Sequence, residues 1–297
     1  MNLDLDEACE QTLTEINLGD VLEALGVDRD SPLGRGLAVS LRPSARKFAR
    51  QILTFDHWVA EVGLHRAASR FISMYVNYLE IKGESFIPHH GPLLVLANHP
   101  GLSDALALFT ALPRNDLRIL AAERPFLDAL PAVKGYLIQV SEDESARVGV
   151  IRQAIRHLRS GGVLLNFPAG RIEPDPAVLP GACGALDTWS ESIGVFVRAV
   201  PQATILPIIV SGVLSSAALR HPITRLRKSP RDRERLAAML WILMRLHRPG
   251  HWPVNVTVHV LPPLEAARLS SLHEVRAITQ AVIAHIKAHF PFTNKSG

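Results

Sequence analysis

Six short apolar runs punctuate the chain beyond residue 79: 93–97 (LLVLA), 117–121 (LRILA), 136–140 (YLIQV), 163–167 (VLLNF), 205–210 (ILPIIV) and 254–260 (VNVTVHV). Helix-like stretches lie between them, notably 146–159 and 233–246, and an amphipathic stretch at 272–290 comes last. Strands that alternate with helices predict the α/β class, a largely parallel central sheet flanked by helices on both faces. Ahead of the first run, residues 45–79 contain no proline and only Gly63 as an interruption. Phe48, Ile52, Trp58, Val62, Phe71 and Tyr75 recur there at helical spacing, which predicts one or two amphipathic helices. Residues 1–45 read as short acidic helices with turns at Asp30-Ser31-Pro32 and Arg42-Pro43. The expected organisation is an N-terminal helical region over 1–75 and an α/β domain over 76–297.

A chain of 297 residues, 47% hydrophobic and 20% charged, can bury a sizeable core and is not of disordered composition. Cys9 and Cys183 lie far apart without metal-ligand spacing, so a reducing cytoplasm is the expected compartment. The N-terminus, MNLDLDEACEQTLTEI, is acidic and lacks the basic and apolar regions of a secretory signal. Residues 199–219 form the longest uncharged stretch, but Pro201, Gln202 and Pro207 make a buried strand at 205–210 the better reading than a membrane span. The net charge of +4 conceals a strong polarity. Residues 1–31 hold nine acidic side chains against Arg29, whereas 225–248 hold Arg225, Arg227, Lys228, Arg231, Arg233, Arg235, Arg245 and Arg248 against Asp232 and Glu234. Such a basic segment predicts an anionic partner. No nucleic-acid-binding motif is present and aromatics are few, which favours a phospholipid surface. Leu236, Met239, Leu240, Leu243 and Met244 share a helical face flanked by those cations, so this helix is expected either to lie in an anionic membrane interface or to pack on the sheet beside a solvated basic loop.

Two segments carry chemistry. In the first, the strand 93–97 ends at Asn98-His99, a turn with Pro100 and Gly101 follows, and Ser103 or Asp104 can open a helix. With His99 before the helix and Asp104 in its first turn, the two side chains can converge. A carboxylate on one ring nitrogen fixes the tautomer and leaves the other free to take a proton. Open α/β sheets bind ligands at such strand ends. In the second, the strand 163–167 runs into Pro168-Ala169-Gly170-Arg171, where Gly170 lets a ligand approach the backbone and Arg171 can hold a phosphate.

Taken in order, these segments resemble the glycerophospholipid acyltransferase family. Asn98-His99-Pro100 with Asp104 matches its NHxxxxD signature, and Phe167-Pro168-Ala169-Gly170 stands in the place of its FPEG signature. Ile205-Leu206-Pro207-Ile208 is similar to its fourth block, and 79–88, with Gly83, to its lead-in strand. The chain departs from the pattern in three ways. Ala169 replaces the usual Glu, Arg171-Ile172 replaces Thr-Arg, and 136–141 lacks the expected Arg, for which Arg147 is a substitute.

The resemblance implies transfer of an acyl group from acyl-CoA or acyl carrier protein, with no bound cofactor or metal, to the hydroxyl of a lipid precursor. His99 is then the base and Asp104 its orienting partner, with Asn98, Gly101, Phe167, Pro168, Gly170 and Arg171 contributing to substrate binding. Lys134, Arg124 and Arg147 stand behind Arg171 as phosphate ligands. Backbone N–H groups after His99 are expected at the oxyanion, and Ser103 as a helix cap. Two rival readings are a metal site drawn from His89, His90, His99 and Asp104, and a non-catalytic lipid-binding protein.

Overall fold

The apolar runs become strands: β1 (Tyr78–Lys82), β2 (Leu93–Ala97), β3 (Leu117–Ala122), β4 (Leu137–Val140), β5 (Val163–Asn166), β6 (Thr204–Ser211), β7 (Asn255–Val260) and β8 (Leu264–Glu265). In the computed structural model, which describes residues 3–141, 143–269 and 271–292, they form one sheet of order β1-β7-β6-β2-β5-β3-β4 with β8 beside β6. The five strands from β6 to β4 are parallel to their neighbours. β7 runs antiparallel to β6 and carries β1 parallel to itself. Parallel neighbours require long crossovers. Helices Leu102–Ala111, Glu144–Arg159 and Ser192–Ala199 lie in those connections, and Val275–Ala288 follows β8.

β2 is buried at every position, which explains its unbroken apolar sequence. Leu94, Leu96, Leu164 and Ile205 pack with Leu158, Ile193, Phe196, Ile278 and Val282 in one core. Each such side chain contributes about 1.5–3 kcal/mol through removal from water. At Gly194 a Cβ would come within 2.1 Å of the Val275 carbonyl oxygen, so only glycine lets these two helices approach so closely.

Contacts divide the chain into two compact units. The sheet unit comprises Tyr78–Glu123, Tyr136–Val213 and Asn255–Gly297; the helical unit comprises Met1–Asn77, Arg124–Gly135 and Leu214–Val254. In the helical unit, Leu3–Leu25 is one helix and Pro32–Val62 another. Ser31 caps the latter by accepting the Gly34 N–H, and Pro32 occupies its first turn, where no N–H is needed. The turn expected at Pro43 is absent, because the helix continues through it. Pro43 has no N–H for the carbonyl of Val39, but Val39 is 73% exposed and water can serve that oxygen.

The helix Pro230–His247 buries one side and leaves much of its apolar face half-covered. Leu236, Ala237, Trp241, Ile242 and Leu246 are buried, whereas Met239, Leu240, Leu243 and Met244, which share the expected apolar face with Leu236, are half-buried. The acidic and basic segments partly answer each other. Arg235 pairs with Asp20 at 3.2 Å and with Glu23, Arg46 and Arg50 meet Glu10, and Arg29 and Arg42 meet Glu15.

Candidate active site

Because β2, β5 and β6 run parallel, the segments that leave Ala97, Asn166 and Ser211 emerge at one edge of the sheet. His99 lies in the first of them, just before the helix Leu102–Ala111. Its Nδ1 stands 2.8 Å from Oδ2 of Asp104, the third residue of that helix. The Gly101 N–H donates to the same oxygen at 3.0 Å and the Ala105 N–H to Oδ1. N–H groups left free at a helix start favour a carboxylate there. Asp104 is fully buried, whereas the His99 side chain is 31% exposed. A carboxylate only accepts hydrogen bonds, so Nδ1 carries the proton and Nε2 keeps its lone pair. Burial of the ring opposes its charged form, but the charge and hydrogen bond of Asp104, together with the charge of Glu173, outweigh it. The net effect raises the His99 pKa above its ordinary value.

The segment after β5 lies against this pair. The Phe167 ring sits 4.8 Å from the imidazole, centroid to centroid. The Gly170 N–H closes a turn on the Phe167 carbonyl at 3.0 Å, with φ of 61° at Gly170, a conformation that suits glycine. Pro168 is buried and its carbonyl accepts the Ser190 N–H. Arg171 is exposed; it donates to Thr188 Oγ1 at 3.1 Å and lies within electrostatic reach of Glu173.

Glu173 itself was missed by sequence reasoning. It is 4% exposed, its Oε2 accepts the His99 N–H at 3.0 Å, and its Oε1 accepts the Trp189 indole N–H at 2.8 Å. Its own N–H donates to the His99 carbonyl at 2.8 Å. Two residues on, buried Asp175 accepts the Gly212 N–H at 2.8 Å. The only local sign of these roles is two acidic residues in the segment Glu173-Pro174-Asp175, directly behind the segment already singled out.

Several expected roles change. Asn98 is buried and uses its amide on β6, accepting the Val210 N–H at 2.7 Å and donating to the Val210 carbonyl at 2.9 Å. It therefore ties two strand ends together instead of facing a substrate. The Gly101 N–H, one of those after His99 expected at the oxyanion, is occupied by Asp104, and the N–H of His99 itself by Glu173. Gly101 has φ of 161°, extended backbone open to any residue. Ser103 does not cap the helix, since the cap position is Gly101; its Oγ is buried with no hydrogen-bond partner among the described residues. Arg124 and Lys134 belong to the helical unit, where Lys134 pairs with Asp128 at 2.6 Å, and Arg147 lies on the helix Glu144–Arg159. His89 and His90 precede β2 and His99 follows it, so the strand sets them about 16 Å apart at about 3.3 Å per residue. Among the described residues no group of three His, Cys, Asp or Glu is placed to hold a metal ion.

Residues 78–211 match the acyltransferase family. No curated protein matches the sequence. The 1-acyl-sn-glycerophosphate (LPA) acyltransferase PlsC from Thermotoga maritima has a similar structure at 17% identity and a TM-score of 0.44, the match covering 98% of this chain and 97% of that one.

Proposed function

Residues 78–211 belong to the acyltransferase family, so the protein is an acyltransferase, and we propose that it moves a fatty acyl group from a thioester to a hydroxyl of a glycerolipid precursor. The donor is acyl-CoA or an acyl carrier protein. The observation that carries this reading is the 2.8 Å bond from fully buried Asp104 to the partly exposed imidazole of His99. Nε2 takes the acceptor's hydroxyl proton as the oxygen attacks the thioester carbonyl carbon. The tetrahedral intermediate collapses with cleavage of the C–S bond, and the proton passes from His99 to the departing sulfur. A base so placed contributes about 10²–10⁴-fold. Asp104 stabilises the imidazolium that forms between the two transfers. Arg171, exposed beside the site, supplies the charge for a phosphate on either substrate.

A membrane surface is the natural location for such an acceptor. Arg225, Lys228 and Arg231 are exposed, and Leu226 beside them is 69% exposed. Apolar and cationic groups exposed together suit a peripheral contact with an anionic leaflet. Among the described residues no helix is long and apolar enough to cross a membrane. The test is an acyl-transfer screen that crosses acyl-CoA and acyl-carrier donors with glycerol phosphate, lysophosphatidate and other lysophospholipids, with products read by mass spectrometry. An acylated lipid product is expected; thioester hydrolysis alone, with every acceptor, would contradict the reading.

A further inference from the structure

Among the described residues, Glu173 is the one buried carboxylate, other than Asp104, whose side chain is hydrogen-bonded to the histidine segment. Its bonds to His99 run both ways: its carboxylate accepts the His99 N–H at 3.0 Å, and its N–H donates to the His99 carbonyl at 2.8 Å. Residue 98 is held as well, because the Asn98 amide grips Val210. The backbone that carries the imidazole is therefore fixed at two successive residues, by the Asn98 amide on the main chain of β6 and by Glu173 on the main chain of His99. Glu173 is fixed in turn by the Trp189 indole on its other oxygen.

A carboxylate only 4% exposed is costly to bury, and two N–H donors, one on each oxygen, offset only part of that cost. A second carboxylate, Asp104, lies fully buried against the ring of the same histidine. Two buried negative charges about one neutral ring repel each other, and they become favourable when the ring takes a proton. Resting on the acyl-transfer reading, we propose that Glu173 is a positioning residue for His99, fixing its backbone and stabilising the imidazolium that forms during transfer. Asp104 acts through the ring nitrogen and Glu173 through the main chain and its charge. Burial raises the Glu173 pKa, and the indole and His99 N–H bonds, the His99 ring and Arg171 offset that rise only in part. The charged groups that act on the imidazole are Asp104 on the following helix and Glu173 on the loop after β5, with Arg171 acting on Glu173.

The test is E173Q, which keeps the shape but removes the charge and leaves only one accepting oxygen for two N–H donors. Turnover is expected to fall about 10- to 100-fold, as a small misplacement of a base does, with KM for donor and acceptor within about twofold. The His99 resonance among the 13 histidines is assigned by its loss in H99Q and followed by NMR titration. In E173Q it is expected to titrate at lower pH than in the wild type. E173D, which keeps the charge but is one methylene shorter, is expected to lose turnover while retaining most of the His99 titration, and it serves if E173Q does not fold. Unchanged turnover in E173Q would overturn the proposal. So would reduced turnover with an unmoved titration, since that is all a structural carboxylate would give. If the wild type transfers no acyl group, the reaction assignment fails, and the titration alone still decides whether Glu173 acts on His99.

Discussion

His99 and Asp104 divide their labour by exposure. The carboxylate is sealed from solvent, whereas the ring that must meet a substrate remains 31% exposed. A base must be neutral to accept a proton, and the His99 pKa is raised, so activity should fall on the acid side through a pH above the ordinary histidine value. In D104N the charge that raises this pKa is removed, and the acid limb of kcat/KM should move to lower pH. Turnover should drop by about 10²-fold or more as the tautomer is lost. A D104N profile with the wild-type limb and turnover would disconnect Asp104 from the base. Arg171 makes a separable prediction. R171A should raise the KM for a phosphate-bearing substrate by about 10-fold, the size of a charged hydrogen bond of about 1.5–3 kcal/mol. Unchanged KM values for donor and acceptor would remove Arg171 from the site.

Among the elements, those legible in sequence are the ones whose signal is local. β2 reads as LLVLA and occupies Leu93–Ala97, because a strand covered on both faces needs five apolar residues and nothing else. The His99–Asp104 pair was legible for the same reason, its members being five residues apart across a helix start. Glu173 contacts His99 across 74 residues and Asn98 contacts Val210 across 112, so no local spacing announces either role. Pro43 misled because the local rule for proline is strong, but an exposed carbonyl and packing on both sides outweigh it. The helix Pro230–His247 leaves two readings open in sequence, because an apolar face with nearby cations describes a packed helix as well as a membrane helix. Its packing can be measured. L236A, at 2% exposure, should cost about 2–5 kcal/mol in urea unfolding. R235Q, whose partners Asp20 and Glu23 are 44% and 67% exposed, should cost at most about 1 kcal/mol. Equal effects would mean that this face is not part of a core.

For the whole molecule, charge separates what is paired from what remains available. Arg235 meets Asp20 and Glu23, and Arg227 meets Asp232, which leaves Arg225, Lys228, Arg231, Arg233 and Arg248 exposed on the basic segment. If these cations touch an anionic surface, the triple change R225Q/K228Q/R231Q should weaken binding to phosphatidylglycerol vesicles by roughly 100-fold at low salt. Neutral vesicles should bind poorly in both cases. Equal binding by the two proteins would move the contact elsewhere. The chemistry itself is tested most directly in the intact protein, by following thiol release and acylated-lipid formation from one acyl thioester in wild type and H99A. Wild type should form both products in equal amounts, and H99A, with native circular dichroism, should form them about 10³-fold more slowly. Near-normal transfer by folded H99A would contradict the assignment of His99 as the base.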